Sequence, residues 1–301
     1  MKIRNDLPIA EKSFGTLTVS QALRGAILRL RQACSATPNL DAEVLLAFCM
    51  EKERTSFIIH PEMPVSHREQ ECFEKLLDRR CSGEPVAYLT GKKEFWSLPF
   101  KVDRRVLIPR PETEVLVEEA LKFISPRCPG GENCSVLEIG TGSGAIIIAL
   151  ARELPCAKLT ATDISGAALE VARENAASNG VAERIDFREG SFFRPVADSR
   201  FDIIISNPPY VSEEEHGSLE RGVRDFEPLE ALVAGPDGTG CLERIIVDAR
   251  PFLTGGGMLL LEIGYLQEQK IEEIFSKEGY KLIAFRKDYA GLTRAASARR
   301  M

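Results

Sequence analysis

The chain has 301 residues, 44% of them apolar, enough for one large domain or two ordinary ones with real cores. Its 39 Lys and Arg against 45 Asp and Glu give a formal net charge of −6, and it has no dominant basic run of the kind a duplex nucleic-acid binder carries. No stretch approaches ~18 uninterrupted apolar residues, which excludes an ordinary transmembrane helix, and the opening "MKIRNDLPIAEKSFGTLTV" lacks the apolar segment of a secretory signal. Eight cysteines without a C-x-x-C pair, beside three histidines, argue against zinc and read as reduced thiols of a cytosolic protein.

In chain order, residues 18–83 read as helical. "TVSQALRGAILRLRQA" sets Val19, Leu23, Ile27 and Leu30 at helical spacing behind Thr18, a candidate N-cap. "NLDAEVLLAFCM" gives a second helix with Asn39 or Asp41 near its start. "SHREQECFEKLLDRRC" gives another, with Ser66 and Glu69 as a capping box and Gly83 as its stop. This region, 1–83, is expected to be a small helical domain. Residues 84–108 then change character: "KEFWSLPFKV" suggests a short hairpin linker turning at Ser97-Leu98, with Phe95 and Trp96 expected to pack it. "LIPRPETEVLVEEALKFI" opens a helix with Pro111 in its first turn. From Ser135 onward, strand candidates at 135–139, 158–162, 184–188, 201–205, 257–263 and 280–286 alternate with helices at 144–153, 165–179, 240–252 and 266–277. That alternation predicts an α/β domain over 109–301, a mostly parallel sheet with helices on both faces and its ligands beyond the carboxyl ends of the strands. The tail "RAASARRM" reads as a solvated terminus. The isolated His60, His67 and His216 suggest no role.

Two segments carry chemistry. In "SVLEIGTGSGAIIIALA", Gly140, Gly142 and Gly144 let the chain turn tightly and a ligand approach, and the turn delivers that ligand to a helix N-terminus. The next strand, "KLTATD", ends in Asp163, an acid able to accept both hydroxyls of a ribose. A dinucleotide and S-adenosylmethionine both fit such a turn. The spacing G-x-G-x-G departs from the dinucleotide pattern, and Glu138 would repel a pyrophosphate while suiting a sulfonium with its α-amino group. The second segment is "FDIIISNPPYV". Asn207 follows a strand, Pro208 and Pro209 keep carbonyls but have no N–H, and Tyr210 adds a flat face. Such a set can hold a planar –NH2 on an sp² carbon: the Asn207 oxygen accepts one N–H and the Pro208 carbonyl the other. Adenine N6, guanine N2 and a glutamine amide all qualify.

The segments "RRCSGEPVAYLTGKKEFWSLPFKVDRRVLIPRPETEVLVE", "VLEIGTGSGAIIIALA", "ATDISGAALEVARENA", "FDIIISNPPYV", "FEPLEALVAGPDG", "GGMLLLEIG" and "KDYAGLTRA" together resemble the HemK-type release-factor glutamine methyltransferases, over roughly residues 18 to 295. "LIPRPETE" is the part that separates them from the ribosomal-protein glutamine methyltransferases. The resemblance implies an N-terminal helical domain that recognises the substrate, a hairpin linker and a Rossmann-like methyltransferase domain. It implies transfer of a methyl group from S-adenosyl-L-methionine, leaving S-adenosyl-L-homocysteine, to N5 of the glutamine in the Gly-Gly-Gln motif of bacterial class I release factors. A cytoplasmic monomer without direct nucleic-acid or membrane contact is expected. Carried over by motif, Glu138 and the run Gly140, Thr141, Gly142, Ser143 and Gly144 would hold the methionine part, Asp163 the ribose, and Phe192 would flank the adenine. Many relatives have an acid where this chain has Ser191. Asn207, Pro208, Pro209 and Tyr210 would grip the glutamine, with Arg110 and Glu112 shaping the wall. The alternatives are a DNA or RNA amino-methyltransferase acting on adenine N6 or guanine N2, which the acidic composition disfavours, and a ribosomal-protein glutamine methyltransferase.

Overall fold

The computed structural model describes residues 17–300. The opening segment judged to lack a secretory signal lies, as far as residue 16, outside them, as does Met301 of the tail. The chain divides between Thr90 and Gly91 into two compact units.

The first unit is helical: α1 (Val19–Gln32), α2 (Pro38–Met50), α3 (Arg54–Ile59), α4 (His67–Cys81) and α5 (Val86–Thr90). Both expected caps form. The Thr18 hydroxyl accepts from the Gln21 N–H and the Ser66 hydroxyl from the Glu69 N–H, and each partner side chain returns to the cap backbone. Helix α2 begins at Pro38, so Asn39 and Asp41 lie near its start as expected. Thr37 precedes Pro38 without a side-chain cap bond, and the buried Asp41 accepts from the Ser35 and Thr37 hydroxyls and pairs with Arg80 of α4 at 2.7 Å. Around it Leu30, Leu45, Leu46, Phe73 and Leu77 form one core.

The second unit begins with a hairpin, β1 (Lys92–Phe95) and β2 (Leu98–Lys101), so the stretch expected as a linker is shared between the two units. Its two-residue turn, Trp96-Ser97, has both residues at positive φ, the geometry that matches the twist of paired strands. The hairpin packs into this unit. Trp96 donates through its backbone N to Glu114 and through Nε1 to Glu153, and Phe95 and Phe100 are buried. A single 3-10 turn, Pro111–Thr113, leads into α6 (Glu114–Ile124). There follow β3 (Ser135–Ile139), α7 (Ala145–Glu153), β4 (Lys158–Asp163), α8 (Gly166–Ser178), β5 (Ile185–Glu189), β6 (Phe201–Ser206), α9 (Glu213–Ser218), α10 (Arg221–Arg224), α11 (Gly240–Ala249), β7 (Leu253–Glu262), α12 (Glu268–Lys277), β8 (Tyr280–Lys287) and β9 (Thr293–Arg300).

The sheet runs β5-β4-β3-β6-β7-β9-β8, parallel from β5 to β7, with β9 antiparallel to both neighbours. Alternate residues of each strand serve opposite cores. Val136, Ile203, Ile205 and Leu260 pack with α6 and α7, while Leu137, Ile204, Leu259 and Leu261 pack with α11 and α12. Burial on both faces explains the near-continuous apolar runs of these strands. The tail requires a correction. Residues 293–300 form an interior strand, with Ala295, Ala296, Ser297 and Ala298 buried. Small side chains let β9 lie between two neighbours, so their low apolarity did not mean solvation. The helix expected over 240–252 stops at Ala249, and Arg250–Phe252 continue as a 3-10 turn around Pro251, which has no N–H to extend an α-helix.

Among the described residues no helix is long and apolar enough to cross a membrane, and no cluster of three or more His, Cys, Asp or Glu could hold a metal ion.

Candidate active site

Strand β3 is where the sheet's winding reverses: β4 and β5 lie to one side and β6 to the other. A crevice opens beyond the carboxyl ends at such a point. Here it is a cavity of about 370 Å³. Glu138, Gly140, Thr141, Gly142, Ser143, Asp163, Phe192, Asn207, Pro208, Pro209 and Arg110 all border it. Three of the expected site residues stand outside its wall. Gly144 is demanded by its backbone, at φ +83, and a Cβ there would also crowd Ile148 Cδ1 at 2.8 Å and Ala172 Cβ at 3.3 Å. Tyr210 packs on the α11–α12 core, with its hydroxyl on Glu262. Glu112 lies in the 3-10 turn before α6.

The glycine turn is built to receive a ligand. Gly140 and Gly142 have positive φ, and a Cβ on either would meet no protein atom within 4 Å, so the space beside them is open. Asp163 supports the turn. Its Oδ2 accepts from the Gly142 N–H at 2.8 Å and its Oδ1 from the Ser165 N–H at 2.9 Å, and the Ile164 N–H also supports the carboxylate. Burial raises its pKa against those bonds. Glu138 is fully buried, and its Oε2 accepts from Thr141 Oγ1 and from the Ile147 N–H. Desolvation still pushes it up to about 8, so it is mostly protonated at neutral pH in the unliganded protein. A cation arriving beside it would draw that proton off. The donors, the open turn and a buried acid awaiting a cation fit S-adenosylmethionine. Phe192 sits at φ +50 on the wall, a strained backbone for a non-glycine residue.

At the end of β6, Asn207 Nδ2 donates to Thr113 Oγ1 at 3.3 Å, Thr113 Oγ1 donates to Glu262 Oε2 at 2.7 Å, and the Tyr210 hydroxyl donates to Glu262 Oε1 at 3.2 Å. Burial raises Glu262 to about 7 against the bonds from Thr113 and Tyr210 and the nearby Arg294. Arg110 reaches the buried Glu227, which also accepts from the Ile108 N–H and is raised by burial. Sequence reasoning missed Thr113, Glu227, Glu262 and Ile164, an exposed apolar side chain after Asp163 on the cavity wall. The available signal was an acid inside an apolar run: "LLLEIG" repeats the pattern of "VLEIG".

Fold and site define a Rossmann-like methyltransferase. Residues 116–221 match the methyltransferase small domain family and residues 21–91 the PrmC N-terminal domain family. The hMettl16 catalytic domain, solved in complex with the MAT2A 3'UTR hairpin 6, shares the fold at a TM-score of 0.54, with 17% identity, 67% of this chain and 76% of that chain covered. The chain is 41% identical over 277 residues to the release factor glutamine methyltransferase of Aliivibrio fischeri, covering 92% of this chain and 95% of the relative. It is 43% identical over 277 residues to that of Vibrio cholerae, covering 92% and 94%. The chain belongs to the release factor glutamine methyltransferase family.

Proposed function

We propose that this protein transfers a methyl group from S-adenosyl-L-methionine to N5 of the glutamine in the Gly-Gly-Gln motif of bacterial class I peptide chain release factors, leaving S-adenosyl-L-homocysteine. The observation that carries this is the meeting of Asn207, Pro208 and Pro209 with the glycine turn and Asp163 around one cavity, in a chain of this family. When bound, the cofactor supplies an electrophilic methyl group on a cationic sulfur.

The chain's own residues do the rest. Gly140 to Ser143 and Glu138 would hold the methionine part, Asp163 the ribose, and Phe192 and Ile164 the adenine. The amide nitrogen of glutamine is a weak nucleophile because its lone pair is delocalised. Asn207 Oδ1 and the Pro208 carbonyl each accept one of its N–H bonds, which fixes the plane of the amide and stabilises positive charge growing on nitrogen. The two prolines present no competing donor. Arg110, tied to Glu227, shapes the wall beside them. A cationic product nitrogen loses its proton readily, so attack needs no strong base.

The helical first unit recognises the release factor, and the enzyme acts as a monomer in the cytoplasm, without direct nucleic-acid contact. A tritiated-methyl assay tests the whole assignment. Label is expected on a release factor and not on its Gly-Gly-Gln glutamine variant. Label on both proteins, or on neither, overturns it.

A further inference from the structure

An asparagine amide has two unlike ends, an oxygen that accepts and a nitrogen that donates, and only the oxygen can receive the N–H of a methyl acceptor. Something must therefore decide which end faces the cavity. The hydrogen bonds behind Asn207 make that decision. Thr113 Oγ1 lies 2.7 Å from Glu262 Oε2 and 3.3 Å from Asn207 Nδ2. A hydroxyl carries one proton, and an ionised carboxylate only accepts. With Glu262 ionised, the form that Tyr210, Thr113 and the nearby Arg294 favour, the Thr113 proton is committed to it and the Thr113 oxygen meets Asn207 as an acceptor. Only the –NH2 end of Asn207 satisfies that oxygen, which leaves Oδ1 for the cavity. The reversed amide would set two acceptors against each other at a partly buried contact, one of them on the buried Thr113.

Glu262 is itself held at both oxygens. The Tyr210 hydroxyl donates to Oε1 at 3.2 Å, and the Arg294 guanidinium lies close enough to favour the ionised form. Tyr210 and Thr113 thus converge on one carboxylate from the loop after β6 and from the turn before α6.

We infer that Thr113 and Glu262 are positioning residues that set the polarity of the Asn207 amide, with Tyr210 as the brace of Glu262. This rests on the proposal that Asn207 receives the –NH2 of the methyl acceptor. It assigns Tyr210, the last residue of the motif, a place behind the site and not a face toward the substrate.

The test compares Thr113→Val, which removes the hydroxyl at nearly constant volume, with Thr113→Ser, which keeps it. Methyl transfer to a release factor is measured at saturating substrates, and cofactor affinity by calorimetry reports that each variant is folded. Thr113→Val is expected to lose about tenfold or more in kcat, the effect of one lost, partly buried hydrogen bond, with cofactor affinity unchanged. Thr113→Ser restores most of that loss. Glu262→Gln no longer commits the hydroxyl proton and also lowers kcat at unchanged cofactor affinity. Wild-type turnover by Thr113→Val, or a Thr113→Ser variant no better than the valine, overturns the inference while leaving the proposed activity standing. Absence of transfer by the wild-type enzyme alone overturns the activity, and the inference with it.

Discussion

Leu-Glu-Ile-Gly occurs twice, at 137–140 and at 261–264, and both glutamates are fully buried at the carboxyl ends of strands flanking β6. The first was recognisable because a glycine turn follows it. The second carries the same pattern, but its role was not recognisable, because its partners, Thr113 and Tyr210, lie far away in sequence and only the fold joins them. Both acids are raised from an ordinary value of 4.5, Glu138 to about 8 and Glu262 to about 7, chiefly by desolvation. A folded-state pKa above the unfolded one means that the native state holds the proton more tightly. The resulting stability is complete below the unfolded value and is lost as pH rises through about 7 and then about 8. Thermal unfolding of the unliganded enzyme should therefore show a falling melting temperature across that window. Glu138→Gln keeps an acceptor for Thr141 and Ile147 but has no proton to lose, so it should flatten the upper part of the fall and bind the cationic cofactor more weakly. An unaltered slope in the variant, or unaltered cofactor affinity, would show that Glu138 is not the group responsible.

At the scale of elements, the strands and helices that pack on both faces of the sheet were legible as alternating apolar runs, and Thr18 and Ser66 announced their helices through capping boxes. What stayed hidden were elements defined by partners and not by pattern. Strand β9 reads as small and basic, yet its backbone pairs on both sides. The hairpin is visible as a hairpin, but among the contacts that seat it on the second unit are several from α8 and its C-cap, Asn175 making two of them. Asn175, 1% exposed, accepts from the Lys101 N–H at 2.7 Å, and its Nδ2 donates to the carbonyls of Lys101 at 3.0 Å and Ser143 at 2.9 Å. It thereby joins the hairpin to the glycine turn. Asn175→Ala leaves backbone groups without their partner, and should cost about 1–3 kcal/mol in stability by urea unfolding. Because Ser143 borders the cavity, cofactor affinity should fall as well. Asn175→Asp, which cannot donate to either carbonyl, should show both effects. A variant with unchanged unfolding would mean that the hairpin is held by Trp96 and the buried phenylalanines instead.

At the scale of the molecule, the cavity and every residue proposed to bind cofactor or amide belong to the second unit, so the first unit is free to act on the protein substrate. Its own core is complete, with Leu30, Leu45, Leu46 and Leu77 buried. Even so, helix α3 leaves Ile58 82% and Ile59 68% exposed side by side. Apolar side chains contribute most where a partner desolvates them. Replacing both by aspartate in the full chain removes that contribution and adds two charges that resist desolvation, without disturbing a buried group. If α3 meets the release factor, KM for the intact factor should rise by roughly tenfold or more, the cost of about 1.4 kcal/mol of lost binding. kcat and KM for a short Gly-Gly-Gln peptide, which reaches only the second unit, should stay as they were. Steady-state methyl transfer with the two substrates side by side measures this. An equal change for factor and peptide would mean that the substitutions act through the catalytic unit, and no change for either would mean that α3 does not meet the release factor.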